Sequence, residues 1–284
     1  GTGSSLAVTG VGFSADFTWL KERDGTNDHN AFDTVRGAGE LIRPNANNAE
    51  STTTEGLKSW QSDGFTLGTN TSLNGSGQTF VAWNWKAGTT TGIDATGATI
   101  TPSAYSFNQT AGFSVITYTG NGVAGATVPH GLGVVPEFII VKCTSTTASW
   151  MIFQGSSIMG ATKFMYLDES QAAQAETERW NDTAPTSVLF SLGTSSSGNT
   201  NTATYVAYCF AEIQGYSKIS YYTQNGNVDG PFIYTGFRPA FVLAKVTNAA
   251  DNWAILDNKR IGFNNSNYRL RANAAEAAFT GSPS

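Results

Sequence analysis

Three segments of this chain open in the same way, and that repetition limits its folds more than any other feature. Gly12-Phe13-Ser14-Ala15-Asp16-Phe17-Thr18-Trp19-Leu20-Lys21 is the first. Gly133-Val134-Val135-Pro136-Glu137-Phe138-Ile139-Ile140-Val141-Lys142 and Gly236-Phe237-Arg238-Pro239-Ala240-Phe241-Val242-Leu243-Ala244-Lys245 follow it. Each gives a turn, a Phe, three residues suited to a strand, and a Lys. Eight residues after the Lys stand His29, Trp150 and Trp253, followed by Phe32, Phe153 and Leu256. A third block occurs in the first two copies only. It runs from Phe65-Thr66-Leu67-Gly68-Thr69 to Phe80-Val81-Ala82-Trp83-Asn84-Trp85, and from Phe190-Ser191-Leu192-Gly193-Thr194 to Tyr205-Val206-Ala207-Tyr208-Cys209-Phe210. Shared order and spacing mark copies of one structural unit.

The units read as β-structure. In Phe80–Trp85 and in Phe113–Tyr118, alternate positions can bury rings on one face. Only 13% of residues are charged, while Gly (31 residues) and aromatics (12%) are abundant. That is the chemistry of short strands and tight turns, not of long helices. The segment Asp168–Arg179 is the best helix candidate, with a structured loop as the alternative. We expect an all-β protein of tandem, jelly-roll-like β-sandwich units. Residues 1–86 form unit 1, and a Thr/Gly/Ser-rich connector over 87–110 leads to unit 2 at 111–224. A partial unit 3 follows at 225–284, without a counterpart of Phe80–Trp85.

A net charge of −5 with no basic stripe argues against nucleic acid as a partner. No apolar run approaches the roughly 20 residues of a membrane span, so no membrane insertion is expected. The start at Gly1-Thr2-Gly3, without an initiator Met, reads as internal to a longer polypeptide or as a processed end. Cys143 and Cys209 lie in strand-like runs and are expected as buried free thiols.

The stretch Ala15-Asp16-Phe17-Thr18-Trp19-Leu20-Lys21 with His29-Asn30-Ala31-Phe32-Asp33-Thr34-Val35-Arg36-Gly37 resembles a repeat of uncharacterised domains in tail-fibre-like proteins of marine bacteriophages. So do Ser62–Gly68, Asn74–Gly88, and the segment Pro129–Gly133 ahead of Pro136-Glu137-Phe138. The resemblance covers essentially the whole chain. It implies a virion structural protein, tail fibre, head fibre or capsid decoration, and carries over no catalytic residues.

Each candidate for chemistry has a plainer reading. Gly120-Asn121-Gly122-Val123-Ala124-Gly125 has dinucleotide-fingerprint spacing, but Pro129 and Gly131 follow where a helix must begin, so a turn is expected. His29 and His130 are too far from other ligands for a zinc site. Glu22, Asp24, Asp28 and Asp33, or Asp168, Glu169, Glu176 and Glu178, could supply a glycosidase pair, yet neither cluster recurs between units. Asp24, Asn27 and Asp28 could group oxygens for calcium, without the spacing of the known loop. Catalytic residues, cofactors and metals are therefore all assigned as none. Trp150 and Trp253 recur and read as core. Trp60 and Trp180 lie in polar surroundings and are the candidate glycan contacts. The expected function is host attachment through surface glycan by a phage appendage subunit on the virion exterior. Its partners would be further copies of itself, a trimer among the options, and other virion proteins. An architectural decoration or connector protein is the first alternative. A polysaccharide depolymerase using Asp24 with Asp28, or Asp168 with Glu169, is the second.

Overall fold

The computed structural model describes residues 1–155, 159–227, 229–260 and 268–280. Unit 1 contains β1 (Leu6–Thr9), β2 (Phe17–Glu22), β3 (Asn30–Asp33), β4 (Glu40–Leu41), β5 (Ser51–Thr52), β6 (Leu57–Gln61), β7 (Gly64–Leu67), the one-turn α1 (Thr71–Asn74) and β8 (Phe80–Trp85). Its inner sheet is β3-β2-β8 and its outer sheet β1-β7-β6. Unit 2 contributes β9 (Ala104–Asn108), β10 (Phe113–Thr119), β11 (Ala126–Pro129), β12 (Phe138–Cys143), β13 (Met151–Gln154), β14 (Lys163–Tyr166), β15 (Gln174–Ala175), α2 (Thr177–Trp180), β16 (Leu189–Leu192) and β17 (Thr204–Phe210). A seven-stranded sheet, β15-β14-β13-β12-β17-β10-β9, faces the pair β11-β16. Unit 3 is one sheet, β18 (Phe241–Ala244), β19 (Ala254–Asp257), β20 (Tyr268–Arg271) and β21 (Phe279–Thr280). The protein is all-β and sandwich-like, as the alternation of side chains demands.

The repeat holds at the level of register. β2 pairs β8 with Phe17 opposite Trp85 and Trp19 opposite Trp83; β12 pairs β17 with Phe138 opposite Phe210 and Ile140 opposite Tyr208. In the outer layers Val8 faces Phe65 and Val128 faces Phe190. Strands β2 and β12 are buried on both faces because each separates two cores. Leu20 faces the sandwich core of unit 1, with Phe32, Phe65 and Leu67, while Phe17 and Trp19 face the other way. Ile139 and Val141 likewise face the core of unit 2, and Ile140 its opposite.

That opposite side is a core common to all three units. Trp19, Ala31 and Ile42 meet Ile140, Trp150, Ile152 and Met165, and both groups meet Trp253, Ile255 and Leu270. The hydrogen bonds across it form a cycle. Trp150 Nε1 donates to the Arg43 carbonyl (2.9 Å), Trp253 Nε1 to Tyr166 (2.8 Å), and His29 Nε2 lies 3.0 Å from that of Arg271. The main chain repeats the cycle, with Glu50 N–H to Thr144 O, Ala173 to Thr247 and Ala278 to Arg23. Every pair joins equivalent positions, so unit 1 meets 2, 2 meets 3, and 3 meets 1. Heterologous contacts that close after three steps give threefold pseudosymmetry within one chain.

One expectation changes and one open choice is decided. The connector 87–110 is not a bare tether: Ala104–Asn108 is the edge strand β9, and Thr89 bridges to Phe107. The helix candidate at Asp168–Arg179 is mostly loop and the short β15, with α2 beginning at Thr177. Only the end of that segment is helical because its polar residues offer no apolar stripe to bury. Cys143 and Cys209 are free and buried, as expected.

Candidate functional surface

Most residues that could carry chemistry are bonded into the frame. The repeat lysines sit at the ends of their strands and donate to main-chain carbonyls. Lys21 Nζ reaches Glu22 (2.6 Å) and Gly25 (3.1 Å), Lys142 reaches Cys143 (2.7 Å) and Ala148 (2.9 Å), and Lys245 reaches Val246 (2.8 Å) and Ser170 (3.2 Å). Burial pushes Lys21 and Lys142 down to about 8. His29 accepts Trp19 Nε1 on Nδ1 (2.9 Å), and burial pushes its imidazole down to about 3.

The acids behave likewise. Asp168 Oδ1 accepts the Trp150 amide (2.8 Å), as Asn45 accepts that of His29 (2.8 Å) and Asn273 that of Trp253 (2.9 Å). Asp168 therefore occupies a repeated structural position, and burial raises its pKa. Glu169 accepts Ser149 Oγ. Around the proposed calcium loop the groups point apart: Asp24 takes the Thr79 amide, Asn27 donates to Glu22, and Asp28 takes Asn45. Among the described residues, no cluster of three or more His, Cys, Asp or Glu is placed to hold a metal ion.

A second buried network ties units together. Asp33 accepts the amides of Val35 and Arg36, the Arg36 Nε (2.6 Å) and the Tyr208 hydroxyl of unit 2 (2.7 Å). Asp257 repeats this with Arg260 Nε (2.6 Å) and accepts Trp83 Nε1 of unit 1 (3.2 Å).

The two candidate glycan residues fare differently. Trp180 is 1% exposed, packed edge-on against Phe153 at 5.7 Å, so the expected exposure is wrong. Its place at the end of α2 turns the ring into the core of unit 2 despite the polar neighbours. Trp60 is half-buried, with Nε1 3.3 Å from Thr18 Oγ1. A groove of about 520 Å³ runs between Asp16, Thr34, Val35, Thr90 and Ser103–Ser106. Its one acid, Asp16, is already bonded to Thr34, Ala87 and Ser106. A smaller one of about 260 Å³ lies beside Pro136, Glu137, Phe153 and Pro185.

Large apolar exposure concentrates between Tyr216 and Val246, where unit 2 ends and unit 3 begins. Phe232 is 91% exposed and Tyr234 78%, with Tyr216, Tyr221, Tyr222 and Val242 also on the surface. No sequence reading singled these residues out.

Residues 1–283 match a family described as a domain of unknown function, DUF7483. The chain belongs to that family. No curated protein and no solved structure matches it. The match spans all three units, so the family's domain is the whole pseudosymmetric assembly rather than one repeat.

Proposed function

We propose that this protein is a structural component of a bacteriophage particle, of tail-fibre or appendage type, that acts in host attachment. One observation carries the reading: the residues able to do chemistry recur as parts of the frame. Lys21, Lys142 and Lys245 bind turn carbonyls. Asn45, Asp168 and Asn273 hold equivalent amides. A repeat that commits its polar side chains to holding its own shape is suited to architecture. The resemblance of Ala15–Lys21 and His29–Gly37 to phage fibre repeats supplies the particle. On this reading the partners are other virion proteins, further copies of the chain, and a surface glycan met by the exposed part of the half-buried Trp60.

The test is to purify particles of the phage that encodes the chain and label them with an antibody against it. Labelling on the exterior is the expected result, and absence from washed particles contradicts the proposal. Retention on host cells, reduced in Trp60→Ala, separates attachment from a purely architectural role. The architectural reading draws support from the burial of Trp180, which leaves the sugar-stacking expectation on Trp60 alone.

A further inference from the structure

The groove of about 520 Å³ lies where unit 1 meets the connector over 87–110. That volume is within the range of about 300–1,000 Å³ common to small-molecule sites. Its acid is held firmly. Asp16 is 9% exposed, its N–H donates to the Trp85 carbonyl (2.8 Å), and its carbonyl accepts the Thr34 amide (2.9 Å). Oδ1 accepts the hydroxyls of Thr34 (3.0 Å) and Ser106 (3.0 Å), and Oδ2 accepts the Ala87 amide (2.8 Å). A carboxylate offers about four acceptor sites, so one site on Oδ2 stays open.

The walls add hydroxyls that the frame does not use. Thr90 and Ser103 line the groove and are exposed, and neither hydroxyl has a hydrogen-bond partner among the described residues. The Thr34 hydroxyl gives its proton to Asp16 and keeps lone pairs to accept with. The groove thus presents two groups that donate and accept, and two that only accept. Val35 and Ala104 supply apolar surface between them.

This set selects among ligand classes. An anion would meet Asp16 with no Lys or Arg among the lining residues, in a chain of net charge −5. An extended peptide would need the free edge of β9, which Thr89 already bridges at Phe107 through both main-chain bonds (3.0 and 2.9 Å). A neutral sugar matches, because its neighbouring hydroxyls each donate and accept while its C–H face lies on Val35 and Ala104. We propose that this groove between unit 1 and the connector is a binding site for neutral carbohydrate. The fixed main chain and carboxylate of Asp16 keep the ordering cost of binding low. The inference rests on the attachment reading for the origin of the sugar, the glycan of the host surface.

The probes are methyl α-glucoside, methyl β-galactoside and N-acetylglucosamine, titrated into isotope-labelled protein and followed by amide resonances. N-acetylneuraminate is the anionic control. At least one neutral sugar should shift residues 34–35, 88–90 and 103–106 in a saturable way, and the control should not. T90A with S103A should weaken that binding by about tenfold or more, and A104W should block it. Both variants should keep the parent's thermal transition, since neither removes a side-chain bond from the frame. If no neutral sugar moves these resonances, or A104W leaves binding intact, the proposal is overturned. Shifts around Trp60 instead, or host-cell retention unchanged in A104W, overturn the groove and leave the attachment reading standing. Sugar held in the groove by a protein that does not adhere to cells has the opposite meaning.

Discussion

At the scale of single residues, the chain places ionisable groups where ordinary domains place apolar ones, and solution pH exposes the consequence. Burial holds His29 down to about 3 and His130 to about 4. Both stay neutral in the folded state while the unfolded chain takes up protons below about 6.5. The unfolded form therefore binds more protons between those limits, so stability falls as pH drops from 6.5 toward 4. Each imidazole loses about 1.4 kcal/mol per pH unit in that window. Urea unfolding at pH 7 and pH 4.5 should differ by a few kcal/mol, and H29Q with H130Q should flatten the difference. Arg36 offers a second test, since its removal leaves the buried Asp33 carboxylate uncompensated. R36M should cost about 3–5 kcal/mol, read from the same unfolding curves. Sequence reasoning found the repeated Lys and the His/Trp position at constant spacing. It read Asp168 only as a candidate acid and missed its equivalence to Asn45 and Asn273, the three lying 26, 24 and 28 residues after their lysines. The intervening loops differ in length, so the equivalence shows only once the strands are superposed by register.

At the scale of elements, side-chain alternation made strands such as β8 and β10 legible, and the repeated blocks marked β2 and β12, and β8 and β17, as equivalents, while which strand pairs with which came from the structure. β9 was hidden because its Ala-Tyr-Ser-Phe-Asn has only two rings in an otherwise Thr/Gly/Ser-rich stretch, too short a run to stand out from a connector. Trp180 was misread because a helix of a single turn gives no period from which to judge its buried side. The outer sheet of unit 1 depends on one glycine. Gly64 begins β7 at φ +146°, where an added Cβ would sit 1.9 Å from the Val8 carbonyl oxygen. G64A should destabilise the protein by about 2 kcal/mol or more and speed exchange of the β1 amides. Unit 2 carries Leu189 at the matching register position, opposite Pro129, so the constraint belongs to the β6–β7 turn and not to the module.

At the scale of the whole molecule, three diverged copies do what a homotrimer of small domains would do, within one chain. Small units leave too much apolar surface to stand alone, and here the shared core around Trp19, Trp150 and Trp253 removes it. The cyclic order could not be read from sequence, because its bonds end on main-chain carbonyls, which carry no residue signature. A tandem of separate beads and a closed ring predict different unfolding. Differential scanning calorimetry of the intact protein decides between them: the ring predicts one transition whose calorimetric and van't Hoff enthalpies agree. Two or three resolved transitions, one per unit, would contradict it.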